Sequence, residues 1–466
     1  MKNIKQLLFL AALGLTIGGC NKLVNGYDIN PNLPLDAPAD QQLTAAELSE
    51  GLFLSGEIPR LTGIWTDYFT GADRQYAGLE LYNTAAGDYD NAWGSAYATT
   101  LAQARIVETK AQAVNNILLL GIGQVLEAQM IGTITDLWGD VPYSDALKDT
   151  PAKFDPQVSI YAAIQTLLDQ AIVNLPKNGV SPGARDLFYG GKSSKWVAAA
   201  HSLKARYYLH VKNYAQAATE AHLGIASATD DMLMPYNAPD VNGKDANPYY
   251  DFITSSRYGY LSAESTGSTP STGTYAYQLY TTRANAKTND TKRRDYFFTT
   301  KSKIYSVDPN VVDGAFTASS KGPMVTYFET QAILAEALAR TGDAAGALVV
   351  LNNLRTYDAT TYAGGRYSAY EAADFTAGGL LNQVAGQTAD QALLKEILTE
   401  KYLGMVGQIE PFNDLHRTGN LIGIPKKTTS SADFPQRLLY PQSEVNTNPN
   451  VPQPLPGLFM KTPING

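Results

Sequence analysis

Long stretches rich in alanine and leucine, with apolar side chains returning every three or four residues, recur between residues 94 and 406 and constrain the fold more than any other feature. That period fits the 3.6-residue turn of an α-helix and not the two-residue alternation of a half-buried strand. The segments 94–115, 117–137, 158–174, 194–211, 214–228, 323–340, 344–355 and 389–406 are the helices it predicts, separated by Gly, Pro, Asn, Ser and Thr. Clean strand alternation is scarce. The expectation is an all-α fold with little β structure. Of 466 residues 44% are hydrophobic, enough for one large domain or two closely merged ones, and residues 41–466 are expected to form a single domain.

Two stretches look like copies of one helical hairpin. Ala205 to Ala217 aligns with Ala335 to Ala347, each with an alanine-bearing first helix, a tight turn at Asn213 or Gly342-Asp343, and an early Ala in the second helix. Tetratricopeptide hairpins place small residues there because a large side chain would hold the paired helices apart. Residues 234–325 interrupt the helical pattern and read as a loop-rich insertion, dense in Tyr, Thr, Ser, Asn and Gly. A long irregular stretch inside a compact protein is commonly functional.

The N-terminus carries its own signal. Lys2 and Lys5 precede an apolar run, Leu7 to Leu15, that closes on Ile17-Gly18-Gly19-Cys20. This has the charge and length of a secretory leader, and the ending resembles a bacterial lipobox, so residues 1–19 are expected to be cleaved and Cys20 lipidated. Several acyl chains together anchor a protein stably. No other apolar run is expected to reach spanning length, so nothing else is expected to enter the bilayer. Residues 20–40, polar and rich in Pro and Asn, read as a tether. Cys20 is the only cysteine, which excludes a disulfide framework, and a formal net charge of −8 without a basic stripe argues against nucleic acid.

Catalytic patterns are absent or unconvincing. Gly179-Val-Ser181-Pro-Gly183 fits a nucleophile-elbow spelling, yet Pro182 directly after the serine and a helix before it predict a plain loop. The four histidines, His201, His210, His222 and His416, form no i, i+4 pair, so no metal site or cofactor is expected. The Asp240 to Asp245 stretch lacks the spacing of a calcium loop.

Several motifs, in order along the chain, resemble the SusD-like (SusD/RagB) lipoproteins, in particular the branch described as starch-binding and associating with the outer membrane. They are Tyr27-Asp-Ile-Asn-Pro-Asn32, Asp136-Leu-Trp-Gly-Asp140-Val-Pro-Tyr143-Ser-Asp-Ala146, the helix from Trp196, the run Tyr327 to Asp343, Ile397 to Tyr402, Asp414-Leu-His-Arg417, and Leu439 to Glu444 with Asn448-Pro-Asn450. The resemblance implies a SusD-like fold of tetratricopeptide-type hairpins. It also implies a non-enzymatic lipoprotein of the outer membrane that captures an oligosaccharide or a peptide for a SusC-like TonB-dependent transporter. One departure is that no acidic residue follows Cys20 before Asp28, where the family's surface-export signal is acidic. Two other functions stay open: a glycan-degrading surface lipoprotein, and a helical-repeat scaffold that only docks proteins.

A ligand site is expected on loops rather than on repeat helices. Trp65, Tyr68, Tyr76 and Tyr82 lie among polar Arg74 and Asn83, and Tyr258, Tyr260 and Tyr277 lie in the insertion. Rings stack on the C–H face of a sugar while polar neighbours meet its hydroxyls. Trp93, at helical spacing with Tyr97, reads instead as a core anchor.

Overall fold

A computed structural model describes residues 37–148, 151–237, 245–265, 272–302 and 304–466. Cys20, most of the tether, Tyr27 to Asn32 and most of the Asp240 to Asp245 stretch lie outside the described residues. The expected helices are present, the first of them π-helical over Ser95–Leu101, and further ones join them: α1 Ala39–Ser55, α2 Glu57–Trp65, α3 Arg74–Glu80, α4 Ala102–Ala113, α5 Ile117–Trp138, α6 Gln157–Asn174, α7 Ser193–His210 and α8 Tyr214–Leu223. They continue with α9 Tyr275–Thr282, α10 Thr291–Phe297, α11 Tyr327–Arg340, α12 Ala344–Thr361, α13 Ala389–Gly404 and α14 Glu410–Arg417. Among the described residues β structure is confined to five two-stranded antiparallel ladders. The fold is all-α.

Several boundaries differ from the sequence reading, and α12 runs on to Thr361, past the expected end at 355. Helix α1 begins at Ala39, inside the expected tether. The segment 214–228 stops as a helix at Leu223, before Gly224. The segment 323–340 starts as a helix only at Tyr327, because Gly322–Val325 is a strand paired with Met232–Met234. The insertion therefore leaves and re-enters the helical body through one ladder. It is also less irregular than expected, since α9 and α10 lie inside it.

The two hairpins match as the alignment requires. Ala205, Ala217, Ala335 and Ala347 are all fully buried in one apolar cluster between α7, α8, α11 and α12. Asn213 and Asp343 cap the second helices, accepting from Gln216 N at 3.3 Å and Gly346 N at 2.8 Å. The turn residues before them, Lys212 and Gly342, both take positive φ, +59° and +91°.

Helix α5 corrects one expectation: at 22 residues it is long and apolar enough to cross a membrane by length and composition. Yet 94% of its apolar window is buried inside the protein, which marks a core helix. Small residues let neighbours approach it. A Cβ on Gly132 would lie 2.2 Å from Cζ of Tyr207 on α7. Gly139, at φ +83°, ends α5, and Val141–Pro142 departs as a strand paired with Phe154–Asp155. The Asp136 to Ala146 signature is thus a joint: Trp138 donates Nε1–H to the Leu439 carbonyl at 2.9 Å, and Asp140 accepts from Gln157 N at 2.8 Å at the start of α6.

Buried charges tie the insertion to the repeats. Arg283 and Arg293 from the insertion and Arg355 from α12 all donate to the Glu400 carboxylate of α13, at 2.7, 2.7 and 3.2 Å. Burial alone would raise this carboxyl, but three guanidiniums outweigh it and hold Glu400 well below the usual carboxylate range.

Candidate ligand-binding site

The two loop regions singled out in the sequence meet in space. Thr70–Gly71 pairs antiparallel with Leu261–Ser262, and Ala72 N donates to the Tyr260 carbonyl at 2.9 Å. Gly71 is required there, because a Cβ would fall 1.9 Å from the Tyr76 carbonyl oxygen. Asp73 caps α3 by accepting from Arg74 N at 2.9 Å. Arg74, at φ +47°, turns its side chain outward, where Nη1 donates to the Tyr260 hydroxyl at 3.0 Å.

Of the expected stacking rings, five are buried, Trp65, Tyr68, Tyr76, Tyr82 and Tyr260, and are walls rather than platforms. Trp65 is fully buried, donating Nε1–H to the Leu79 carbonyl at 3.1 Å and packing on Tyr82 and Phe412. Tyr68 is fully buried, stacked on Tyr402 at 4.4 Å with its hydroxyl on the Tyr402 carbonyl. Tyr76 is enclosed by Phe252 and Tyr260, and its hydroxyl accepts from Arg60 Nε at 3.3 Å. Tyr82 is buried, accepts from Lys427 N at 2.9 Å, and burial pushes its hydroxyl up to about 12. A ring with no free face cannot stack on a sugar. Tyr277 sits elsewhere, half-buried against Phe298 and Arg294.

Tyr258 is the exception, 61% exposed. It stands on the turn through Gly259, whose carbonyl accepts from the Tyr305 hydroxyl at 2.6 Å. Arg74 and Arg257 flank the Tyr260 ring, with Cζ 5.5 and 5.8 Å from its centroid. Beside this face opens a cleft of about 400 Å³, walled by Ile58, Leu61, Tyr76 and Tyr89 and edged by Gln75, Asn83 and Asn91. Among the described residues, those three amides make no hydrogen bond. Each keeps a donor pair and an acceptor for a ligand.

Arg257, Tyr305 and Asn91 were missed by the sequence reading. Arg257 directly precedes Tyr258, and that neighbour was its only signal; Tyr305 had only its place in the 234–325 insertion. Asn91 lies one residue after a short helix start and carried none.

The chemistry outside this face is structural. Ser181 lies in a loop, accepting from Gly183 N at 3.3 Å. Asp136, His210 and Glu410 are the one trio of metal-capable side chains gathered among the described residues. His210 faces Asp136 from Nδ1 at 3.0 Å and Glu410 from Nε2 at 2.8 Å. Burial lowers its affinity for protons, but the two carboxylates outweigh burial and raise it to about 10. With each ring nitrogen facing a carboxylate, the trio pairs charges inside the scaffold, away from the loop face.

The model of the SusD-like family described as starch-binding and associating with the outer membrane matches residues 54–441. The chain belongs to the SusD-like family. Solved SusD-like structures share the fold. A SusD/RagB family protein from Bacteroides thetaiotaomicron is 22% identical with a TM-score of 0.65, covering 89% of this chain and 95% of its own. A chitin-binding SusD homologue from Flavobacterium johnsoniae is 17% identical with a TM-score of 0.69, covering 92% and 98%. A SusD homologue from Bacteroides fragilis is 18% identical with a TM-score of 0.64, covering 89% and 94%. No curated protein matches the chain by sequence. In this SusD-like protein the signature Asp136 to Ala146 braces the scaffold and does not line the loop face.

Proposed function

We propose that this SusD-like protein is a lipid-anchored, non-catalytic receptor that captures an oligosaccharide at the loop face and passes it to a TonB-dependent outer-membrane transporter. The observation that carries the glycan reading is the set of three unpaired amides, Gln75, Asn83 and Asn91, around one cleft whose Tyr76 wall packs on Tyr260, two residues along the chain from the exposed Tyr258. A sugar needs one apolar surface and many directional partners, and an uncharged amide supplies a donor and an acceptor together. The family's description as starch-binding and a fold relative's as chitin-binding support the same class. The loop face has the guanidiniums of Arg74 and Arg257 at its rim, which would also donate to hydroxyls.

The test is calorimetric titration of the purified protein with maltooligosaccharides and chitooligosaccharides. Binding by one series, weakened by Tyr258→Ala and Asn83→Ala in folded variants, supports the reading. Binding of neither series, or unchanged affinity in both variants, overturns it. Transporter partnership is tested separately by affinity purification from native outer membranes, where a stoichiometric large β-barrel protein is expected.

A further inference from the structure

A second hollow has a volume of about 360 Å³. It lies where the insertion meets the repeat helices: Tyr296 and Phe316 come from the insertion, Phe328 from α11, and Tyr357 and Tyr362 from α12 and its end. Tyr296 is 41% exposed at the mouth and packs on Tyr362 with ring centroids 5.5 Å apart. This hollow shares no lining residue with the loop-face cleft. Arg60 stands between them, its Cζ 5.9 Å from the Tyr249 ring that lines one and its Nε 3.3 Å from the Tyr76 hydroxyl that lines the other.

Packing alone does not account for its polar lining. Among the described residues, the hydroxyls of Tyr296 and Tyr362, the Gln408 amide and the Lys321 ammonium make no hydrogen bond or ion pair. Asp231 engages one carboxylate oxygen, with Tyr327 N at 2.6 Å, and leaves the other without a partner. Burial pushes this carboxyl up to about 7. Lys321 and Tyr296 are exposed and meet water, but the buried Tyr362 leaves its hydroxyl without a partner in the same lining, where buried polar groups ordinarily satisfy one another. Here both signs of charge and a neutral amide surround rings at one mouth.

We propose that this hollow is a second binding site, which takes a neutral sugar unit of one or two rings independently of the loop face. An anion would meet Asp231, and a cation would meet Lys321. The aromatic side already holds a cation as well, since Arg293 Cζ lies 5.5 Å from both the Phe328 and the Tyr362 ring centroids. A neutral polyol avoids every like-charge contact: its hydroxyls donate to Asp231, accept from Lys321 and do both with Gln408, while a C–H face lies on Tyr296. The volume sits at the small end of ligand pockets, which run from roughly 300 to 1,000 Å³, so a long chain would not fit inside.

The test uses the double variant Tyr258→Ala/Asn83→Ala, in which the loop face is disabled, with maltose and N,N′-diacetylchitobiose as probes at millimolar concentration. Ligand-observed NMR and crystal soaking are expected to show one remaining site, with the disaccharide seated against Tyr296. Adding Tyr296→Ala or Gln408→Ala, each checked for folding by thermal melting, is expected to weaken that binding about tenfold or more, as loss of a stacking ring does elsewhere. Tyr296→Phe should retain the stacking. No residual binding of either probe, a sugar seated elsewhere, or residual affinity within twofold in both folded variants overturns the proposal. Because the loop face is already disabled, these results are independent of whether it is the capture site.

Discussion

The Tyr260 hydroxyl accepts from Arg74 Nη1 at 3.0 Å across 186 residues of chain, and this contact joins the two loop regions that form the candidate capture face. Tyr258, two residues away, carries the only candidate ring left well exposed. Tyr258→Ala is expected to leave the melting temperature unchanged and to weaken glycan binding about 5- to 150-fold, the range for one lost stacking ring. Calorimetry with paired thermal melts checks both halves.

Trp65 should behave in the opposite way. Its indole is fully enclosed and bonded to the Leu79 carbonyl, so Trp65→Ala leaves a cavity in the core. A loss of about 3–5 kcal/mol in unfolding free energy is expected, measured by urea denaturation. The fraction that remains folded should bind ligand near the parent affinity.

Gly132→Ala tests a helix crossing. Alanine is the better helix former by about 1 kcal/mol, so propensity alone predicts a more stable protein. The added methyl would meet the Tyr207 ring at 2.2 Å, and a net loss of about 1–3 kcal/mol is expected instead. Equal or higher stability by chemical denaturation would show that α5 and α7 can separate there without penalty.

The His210 cluster predicts a pH dependence with a definite sign. Its folded value, about 10, lies above the ordinary 6.5, so the stabilisation is full below about pH 6.5 and is lost as pH rises through about 10. His210→Gln removes the positive charge and leaves Asp136 and Glu410 facing each other without it. The variant should be less stable than the parent by about 3–5 kcal/mol near pH 6. The difference should shrink by pH 10.5, because the parent has then lost the same charge, and urea midpoints at the two pH values report it.

Cys20→Ala tests the anchor proposed from the leader. Without the thiol, lipidation cannot occur, and the protein should move from the membrane fraction to the soluble fraction or keep its leader. Membrane retention with normal processing would refute lipidation at this residue.

The repeat hairpins were legible because their information is local: a 3.6-residue period, alanines at crossings and capping residues at Asn213 and Asp343. The short helices α3 and α14 were not, since pieces of seven or eight residues are marginal by themselves and persist through contacts with distant parts of the chain. The site was half legible for the same reason. Tyrosine suits both a core and a wet surface, and the partner that buries Tyr68 is Tyr402, more than 300 residues away. Sequence proximity grouped Trp65, Tyr68, Tyr76 and Tyr82 correctly as one neighbourhood, but it could not say which rings faced outward. Nor could it foresee that three unpaired amides, rather than the rings, would edge the cleft.

Glu400 bears on how such receptors could be re-engineered. Residues 234–325 look exchangeable, since they leave and return through one short ladder. Arg283 and Arg293, however, come from that segment and neutralise a carboxylate that belongs to the repeats. A transplanted segment lacking them would strand a buried anion beside Arg355 alone, while the same segment moved elsewhere would carry Arg293 away from both of its carboxylates, Asp358 and Glu400, and leave Arg283 with Asp290 alone. Specificity swaps between relatives should therefore cut inside the arginine positions, exchanging the tips around Tyr258 and leaving the electrostatic root in place.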